Sequence, residues 1–514
     1  MKTEVVVIGG GATGAGVLRD LALRGIDAIL LEKDELTSGT SGRNHGLLHS
    51  GARYAVRDPD SARECIAENR ILKRIASPCL EETGGFFLSL NQDPPDYPDE
   101  LLEACENLGL PAQEIPVSEV LLQEPALSPQ VKRAIAVPDA AIDPFRLIRS
   151  NVEEAERLGA KFFPHRQVVA VSTDGGNIHG LRAIDPRTEE DFQINCRFVV
   201  NAAGVWAERV ARMAGASLEI VFSKGTLVVF SQRLVNSVIN RCRPPGSGDI
   251  FVPHGPALIL GTTSQVIEAI DDPSADEAEV DLLLSEGEKM VPQASSTRAI
   301  RAYAGVRPLM GARESNEDGR KISRDFLLVD HGETEGIQGF FSIVGGKLTT
   351  YRLMAERTVD ALCQKMGKKT YCSTADRPLP FPEQYTFHDL GYRLQRIFKS
   401  APSRGPEEIL CECELVPRDE VLREIQGLSH PTLHEVQQRT RAGMGPCQGG
   451  FCSHRLTALL AEAGKIPPGA SLAILKAFLE ERWKGTRPVL WGPQLKEEQL
   501  IQALYTESFN LEHF

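Results

Sequence analysis

No stretch of the 514-residue chain reaches the roughly 18 uninterrupted apolar residues that a membrane-spanning helix requires. The apolar run in the opening MKTEVVVIGG is too short for the hydrophobic region of a secretory leader and passes straight into a glycine loop, so a soluble chain is expected. Basic charge is not in excess. The 57 Lys and Arg stand against 70 Asp and Glu, for a net charge of −13, which argues against nucleic acid as a partner but leaves room for a local basic pocket. Internal repeats and low-complexity tracts are also missing. A disulfide framework is not expected without a secretion signal. Seven of the 11 cysteines (Cys65, Cys79, Cys105, Cys196, Cys242, Cys363 and Cys372) are scattered singly among core-like residues and read as inert apolar side chains.

What is present is a chain long enough for two to four domains and, at 42% hydrophobic residues, able to bury a large core. Val5–Ile8 is a short β-branched run of the kind found in fully buried parallel strands. A glycine loop, a helix near Thr13–Arg24 and a strand Asp27–Leu31 ending at Glu32 complete a βαβ opening. Helices are expected over 60–76, on the surface, and 144–158. Strands are expected at Val168–Val171, Phe198–Val200, Leu227–Ser231 and Ala257–Gly261, and a strand, glycine turn and helix over Phe340–Cys363. Pro378, Pro380, Pro382, Pro402 and Pro406 mark a stiff linker that stops regular elements, with a short helix near His388–Phe398 capping the first domain. Residues 1–367 then form an oxidoreductase domain with cofactor and substrate subdomains, 368–408 the linker, 409–465 a cysteine module and 466–514 a helical tail.

Gly9-Gly10-Gly11-Ala12-Thr13-Gly14 fits G-x-G-x-x-G. Gly9 permits the tight turn, Gly11 admits a pyrophosphate to the backbone and Gly14 lets the helix lie close to the sheet, while the helix N-terminus holds the phosphates. Glu32, 18 residues after Gly14, lies where a carboxylate accepts bonds from the adenosine ribose. Three later segments favour FAD over NAD. Thr40 to Gly51, with Thr40, Ser41, Arg43, His45, Gly46 and Leu48, is too rich in glycine and small polar residues for a core helix and suits wrapping around a flat cofactor. Asn201-Ala202-Ala203-Gly204-Val205-Trp206 follows a buried strand like the second dinucleotide contact of flavoproteins, giving Ala203, Gly204 and Trp206, together with Val168, as cofactor contacts. Gly345-Gly346-Lys347-Leu348-Thr349-Thr350 sits at a strand-to-helix turn. There Gly346, Leu348, Thr349 and a helix N-terminus would meet the reduced flavin's negative charge.

The last four cysteines form Cys411-Glu412-Cys413 and, after 33 intervening residues, Cys447-Gln448-Gly449-Gly450-Phe451-Cys452. Thiolates at C-x-C and C-x₄-C can converge on one site. Gly443, Gly445, Gly449 and Gly450 free backbone N–H groups to point at sulfur, and Arg439 and Arg441 could offset a cluster's negative charge. Structural zinc, which also takes four thiolates, is the alternative, although zinc modules usually pair cysteines as C-x₂-C.

GGGATGAG, GRNHGLLHSGARYAV, VPDAAIDPFRL, VVNAAGVWAE, RAYAGVRPL, GGKLTTYRLMAE, RTRAGMGPCQGGFC and ERWKG together resemble the family of catalytic A-type subunits of anaerobic glycerol-3-phosphate dehydrogenases, from about Glu4 to Trp491 and most weakly between Thr374 and Glu408. The resemblance implies an α/β fold: a Rossmann-like FAD-binding domain with an antiparallel β substrate domain, like D-amino-acid oxidase, then a small ferredoxin-like [2Fe–2S] domain and a helical tail. It implies oxidation of sn-glycerol 3-phosphate to dihydroxyacetone phosphate by hydride transfer to flavin N5. Electrons would pass through the [2Fe–2S] cluster to a B-type flavoprotein partner, to a C-type iron–sulfur partner anchored in the membrane, and to quinone. The chain would then be cytoplasmic, peripheral on the inner face of the cell membrane. Substrate-lining positions carry over to Arg53, Tyr54, Arg307, Arg324 and Lys347, and guanidinium forks suit a phosphate. Arg324 is singled out by the resemblance alone. Where aerobic relatives carry a substrate-contacting histidine near the KG turn, this chain has Leu227, so His49 becomes the candidate base, with Arg307 and Lys347 as its catalytic companions; His49 could equally serve only to hydrogen-bond flavin. Another small 2-hydroxy acid or amine as substrate, or a non-catalytic role in electron transfer, are the competing readings.

Overall fold

The computed structural model describes residues 1–311, 319–320, 322–381, 386, 388–399, 408–428 and 431–511. Val5–Ile8 lies at the centre of a six-stranded sheet in the order Phe326–Asp330, Phe340–Gly345, Phe198–Asn201, Val5–Ile8, Ala28–Leu31, Lys161–Phe163, parallel but for its first strand. The two-sided apolar run has a direct explanation. Val5 and Val7 face helices Ala12–Leu23, Pro144–Arg157 and Tyr351–Met366, whereas Val6 and Ile8 face a three-stranded antiparallel sheet, residues 167–195, and the short helix Ala207–Met213. Alternate residues of a strand point to opposite faces, so a strand covered on both must be apolar throughout. The helix expected over 144–158 runs Pro144–Arg157, started by Asp143, whose carboxylate accepts the Phe145 and Arg146 N–H groups, and by proline in the first turn.

The second large sheet is mainly antiparallel. Its spine is the pairing of Ile220–Phe230 with Ala299–Met310, which places Gly225 opposite Gly305 and Ser223 opposite Arg307. Helix Glu277–Gly287 covers one face through Val280 and Leu283. Helix Pro59–Ile75 is a surface element with a buried inner side, where Glu68 forms a paired-oxygen ion pair with Arg352.

The described part of the connection to the C-terminal part packs against both bodies. Residues 368–381 do not hang free: Leu379 is in the core, its N–H donates to the Ile75 carbonyl, and Arg377 pairs with Glu154. Proline stops ladders and helices but does not prevent side-chain packing. The short helix is present as Leu390–Lys399, and its Arg393 donates to the carbonyl and carboxylate of Glu414, tying it to the cysteine module. The rest of the linker, 382–385, 387 and 400–407, lies outside the described residues. The tail forms helices Ser471–Thr486 and Gly492–Phe509. Among the described residues no helix is long and apolar enough to cross a membrane.

Candidate active site and four-cysteine centre

A cavity of about 1030 Å³ opens at the C-terminal ends of the parallel strands, the place where open α/β sheets bind ligands, and it is at the upper end of the ~300–1,000 Å³ common for small-molecule sites. Gly9 has φ +113°, and a Cβ on Gly14 would lie 1.9 Å from the Gly9 carbonyl oxygen, so the loop and helix can approach only as glycines. The Ala12 N–H at the helix start donates to Ser41 Oγ at 3.0 Å. Glu32 accepts from the Gly10 N–H at 2.6 Å and the Asp34 N–H at 2.8 Å; burial pushes its pKa up, against these two bonds.

Gly9, Gly11, Glu32, Thr40, Ser41, Arg43, His45, Val168, Ala203, Gly204, Trp206, Gly346 and Leu348 all line the cavity. Leu48 does not. It packs in the core beside Leu72 and Ile142 while its neighbour Leu47 faces the cavity, as strand alternation demands. Gly14, Gly46 and Thr349 act behind the wall: Gly46 sits at φ +65° with the Ile142 carbonyl against it, and Thr349 Oγ1 accepts the His49 N–H. His45 Nδ1 is buried without a partner among the described residues. A glycine loop backed by a helix N-terminus, a carboxylate at the next strand end, the cavity's size and this orphaned ring nitrogen fit a bound dinucleotide.

One end of the cavity is cationic. Arg53 pairs with Asp249 through one nitrogen at 3.0 Å, while its Nη1 is buried without a hydrogen-bond partner among the described residues. The Arg307 guanidinium lies across Gly225, where a Cβ would come within 2.3 Å of it, and donates to Thr262 Oγ1 and the Thr263 carbonyl. Lys347 Nζ donates to Ser61 Oγ and the Arg324 carbonyl, both at 2.9 Å, and lies 5.2 Å from the centre of the Tyr54 ring. Arg324 lines the same wall. Arg320, which no sequence motif marks, joins them and donates to Ser247 Oγ. His49 is buried edge-on to Tyr54, ring centres 5.3 Å apart. Burial, then His45, Arg53, Lys347 and Arg324, hold its pKa well below 6.5, so the ring is neutral at neutral pH. Tyr54 is pushed up to about 12, chiefly by burial, and stays a hydrogen-bond donor. A second histidine constellation, Ser342–His331–Glu335, has the bonding order of a nucleophile triad, but Ser342 and His331 are both wholly buried and Ser342 also accepts from Asn201. It is a structural network between strands.

The four clustered cysteines meet two by two. Cys413 Sγ lies 3.6 Å from Cys447 Sγ, and Cys411 is hydrogen-bonded by Cys452. In each pair one thiol is drawn down and the other pushed up: Cys447 falls to about 6, first because Cys413 donates to it, then through the N–H groups of Phe451 and Gly449 and the charge of Arg482. Cys411 also accepts the Gly443 N–H at 3.4 Å, and Gly445 has no room for a side chain, its Cβ falling 2.3 Å from that of Cys413. Among the described residues no three such side chains converge on a point that could hold a single ion. A tetrahedral zinc would draw all four thiolates to one centre, whereas two thiolate pairs suit two irons. Arg439 and Arg441 are committed elsewhere, to Glu435 and to Glu414 with Asp143. Arg482, 30 residues beyond the last cysteine and inside the ERWKG stretch, donates to the Cys447 carbonyl, a role the motif alone does not reveal.

Comparison with known proteins agrees with this geometry. Residues 4–352 match the FAD dependent oxidoreductase family and residues 409–462 the BFD-like [2Fe-2S] binding domain. Over 99% of its length the chain is 41% identical to the A-type subunit of the anaerobic glycerol-3-phosphate dehydrogenase of Haemophilus influenzae, covering 94% of that protein, and to its counterpart in Escherichia coli K12, covering 97%. The A1-type subunit of the Haloferax volcanii enzyme is equally similar, with 90% of its length covered. Among solved structures, the FAD complex of Bacillus halodurans glycerol-3-phosphate dehydrogenase superposes with a TM-score of 0.67 at 21% identity over 96% of each chain, and L-proline dehydrogenase from P. horikoshii with 0.56 over 77% of this chain and 98% of that one; these two show a shared fold. With an FAD-dependent oxidoreductase domain, a [2Fe–2S] domain and end-to-end similarity to these relatives, the chain belongs to the family of A-type subunits of anaerobic glycerol-3-phosphate dehydrogenase.

Proposed function

We propose that the chain oxidises sn-glycerol 3-phosphate to dihydroxyacetone phosphate, with His49, Arg307 and Lys347 as catalytic residues and Arg53, Tyr54 and Arg324 as further substrate contacts. The observation that carries the reading is the gathering of Arg53, Arg307, Arg324 and Lys347 around a neutral imidazole at one end of the dinucleotide cavity. A phosphate dianion needs such a set, and a guanidinium with an unpaired nitrogen presents a fork to its oxygens. Bound FAD supplies the two-electron acceptor; the glycine loop, Glu32, the 40–48 segment, Val168, Ala203–Trp206 and Gly346–Thr349 would hold it.

The chain's own residues do the rest. Arg53, Arg324 and Arg307 anchor the phosphate, which fixes the secondary hydroxyl at His49. A ring nitrogen of His49 takes the hydroxyl proton as the carbon is oxidised. The same cations that depress His49 in the free site are neutralised by the phosphate, so substrate binding itself raises the ring's basicity. Lys347 and the N-terminus of helix Tyr351–Met366 supply positive charge that would favour the negative charge of a reduced flavin. Cys411, Cys413, Cys447 and Cys452 would ligate the [2Fe–2S] cluster that carries electrons onward. The relatives are each named as one subunit, which supports a multi-subunit enzyme; B-type flavoprotein and membrane-anchored C-type partners, which the resemblance implies, would hold this chain at the inner face of the membrane.

The test is an anaerobic titration of the purified, cofactor-loaded chain, without partners, with sn-glycerol 3-phosphate. Bleaching of the flavin absorbance followed by a reduced-cluster paramagnetic signal is expected. Intact FAD left unbleached, or bleached only by a 2-hydroxy acid or an amine, would overturn the assignment.

A further inference from the structure

The loop that carries Cys447 and Cys452 is tied in part by its own bonds, Gln448 Nε2 donating to the Met444 and Gly445 carbonyls and the Gly450 N–H to that of Cys447. Arg441, Gly443, Gln448 and Gly449 all have positive φ, and two of these are not glycine. Further bracing comes from the tail. Tyr505 Oη donates to the Gly450 carbonyl at 2.9 Å, and Ile501 lies so close to Gly450 that a Cβ there would be 2.5 Å away. Phe478 covers Gly449 in the same manner. Arg482, only 5% exposed, donates from Nε and Nη2 to the carbonyl of Cys447 itself, at 3.3 and 3.2 Å.

Arg482 is held by a buried counter-ion. Both of its terminal nitrogens donate to the carboxylate of Glu498, on the second tail helix. Gln494, one turn earlier, donates to the same carboxylate and to the Ile300 carbonyl, while Arg298 donates to Gln494. An unbroken chain of bonds therefore runs from the cysteine loop to the strand Ala299–Met310 that carries Arg307. Within the module, Arg455 pairs with the exposed Glu412 and donates to the Phe451 carbonyl of the same loop.

We propose that the Arg482–Glu498 pair is a positioning element for electron transfer, which fixes the Cys447–Cys452 loop and sets the reduction potential of the cluster held there. The inference rests on reading the four cysteines as cluster ligands. A reduced cluster carries one more negative charge than an oxidised one, and net charge and hydrogen bonding around the sulfurs govern its potential. A buried cation at a ligand's own carbonyl favours the added electron; a buried carboxylate just behind it opposes it.

That opposition makes the test specific. The full-length chain, loaded with FAD and cluster, is titrated redox-potentiometrically with the paramagnetic signal of the reduced cluster as readout, and iron is counted per FAD. Arg482→Gln should lower the reduced-to-oxidised ratio at fixed ambient potential at least tenfold, equivalent to about 59 mV for a one-electron couple. Glu498→Gln should raise that ratio several-fold, and Arg482→Lys should stay within threefold of wild type. A purely structural brace would move the Gln variants in the same direction, by loosening one loop. Shifts of the same sign, or no shift in Glu498→Gln, overturn the proposal. If Arg482→Gln fails to retain iron, the sign of the Glu498→Gln shift decides alone. Absence of any cluster signal in the wild-type chain would instead sink the ligand reading.

Discussion

His49 shows how much a single residue's environment decides. Imidazole ordinarily titrates near 6.5, but here burial and four neighbouring basic groups hold the ring neutral, the form that can accept a proton. Among the described residues no hydrogen bond joins its ring to the glycine loop or to Glu32. His49→Gln should therefore slow flavin reduction by sn-glycerol 3-phosphate on the order of 100-fold or more, the contribution usual for a general base, with FAD still bound in full. Rapid mixing under anaerobic conditions checks it, and an unchanged reduction rate would leave His49 as a flavin contact only. At this scale the sequence was legible wherever a residue type is demanded by backbone geometry, as at Gly9 and Gly14, and illegible where a side chain arrives from a distant element. Arg320 belongs to no local motif, Arg482 lies in a motif that gives no hint of its bond to the Cys447 carbonyl, and the choice between Leu47 and Leu48 depends on strand facing that glycine-rich sequence does not reveal.

The pairing of Ile220–Phe230 with Ala299–Met310 does two jobs through its opposed glycines. Directly opposite residues of an antiparallel pair share a face, so Gly225 and Gly305 bare the sheet at one spot. Over Gly225 lies the Arg307 guanidinium; against Gly305 lies the backbone of Arg43, in the cofactor-wrapping segment, with its carbonyl oxygen 2.4 Å from where a Cβ would stand. The obstacles differ in kind, and so should the outcomes. Gly225→Ala displaces the end of a flexible side chain and is expected to raise KM for sn-glycerol 3-phosphate roughly tenfold while FAD is retained, a change worth about 1.4 kcal/mol. Gly305→Ala meets backbone, which cannot step aside, and should lower FAD affinity by at least as much. Steady-state kinetics and ultrafiltration of released FAD separate the two, and equal effects of both variants on both quantities would show that the strands move as one. Element existence was plain from apolar runs, yet this register was not, because glycine-rich strand segments carry no alternation to fix it.

Across the whole molecule, the first body and the cysteine module meet at a seam where Arg441 bridges Asp143 and Glu414, and His254 sits beside that network. Burial, followed by the charge of Arg441, lowers the His254 pKa from 6.5 to about 4, and burial lowers His45 to about 3. In the unfolded chain both return to about 6.5. Above pH 6.5 neither state binds the proton and nothing is lost. Below it the unfolded chain takes up a proton that the folded one refuses, so stability falls with pH until the folded value is reached. Each histidine then costs about 1.4 kcal/mol per pH unit, or about 2 kcal/mol between pH 6.5 and 5. His254→Gln removes one such group from a site outside the cationic end of the cavity. Its unfolding free energy, from denaturant titrations at pH 6.5 and pH 5, should therefore decline by about 2 kcal/mol less than that of the wild type. The same decline in both would mean that His254 is protonated in the folded protein and the seam tolerates its charge. The sequence pointed to an oxidoreductase domain and a cysteine module joined through a proline-rich stretch, but not to this seam, because Asp143, His254, Glu414 and Arg441 come from four separate stretches of chain and become neighbours only once both bodies have folded.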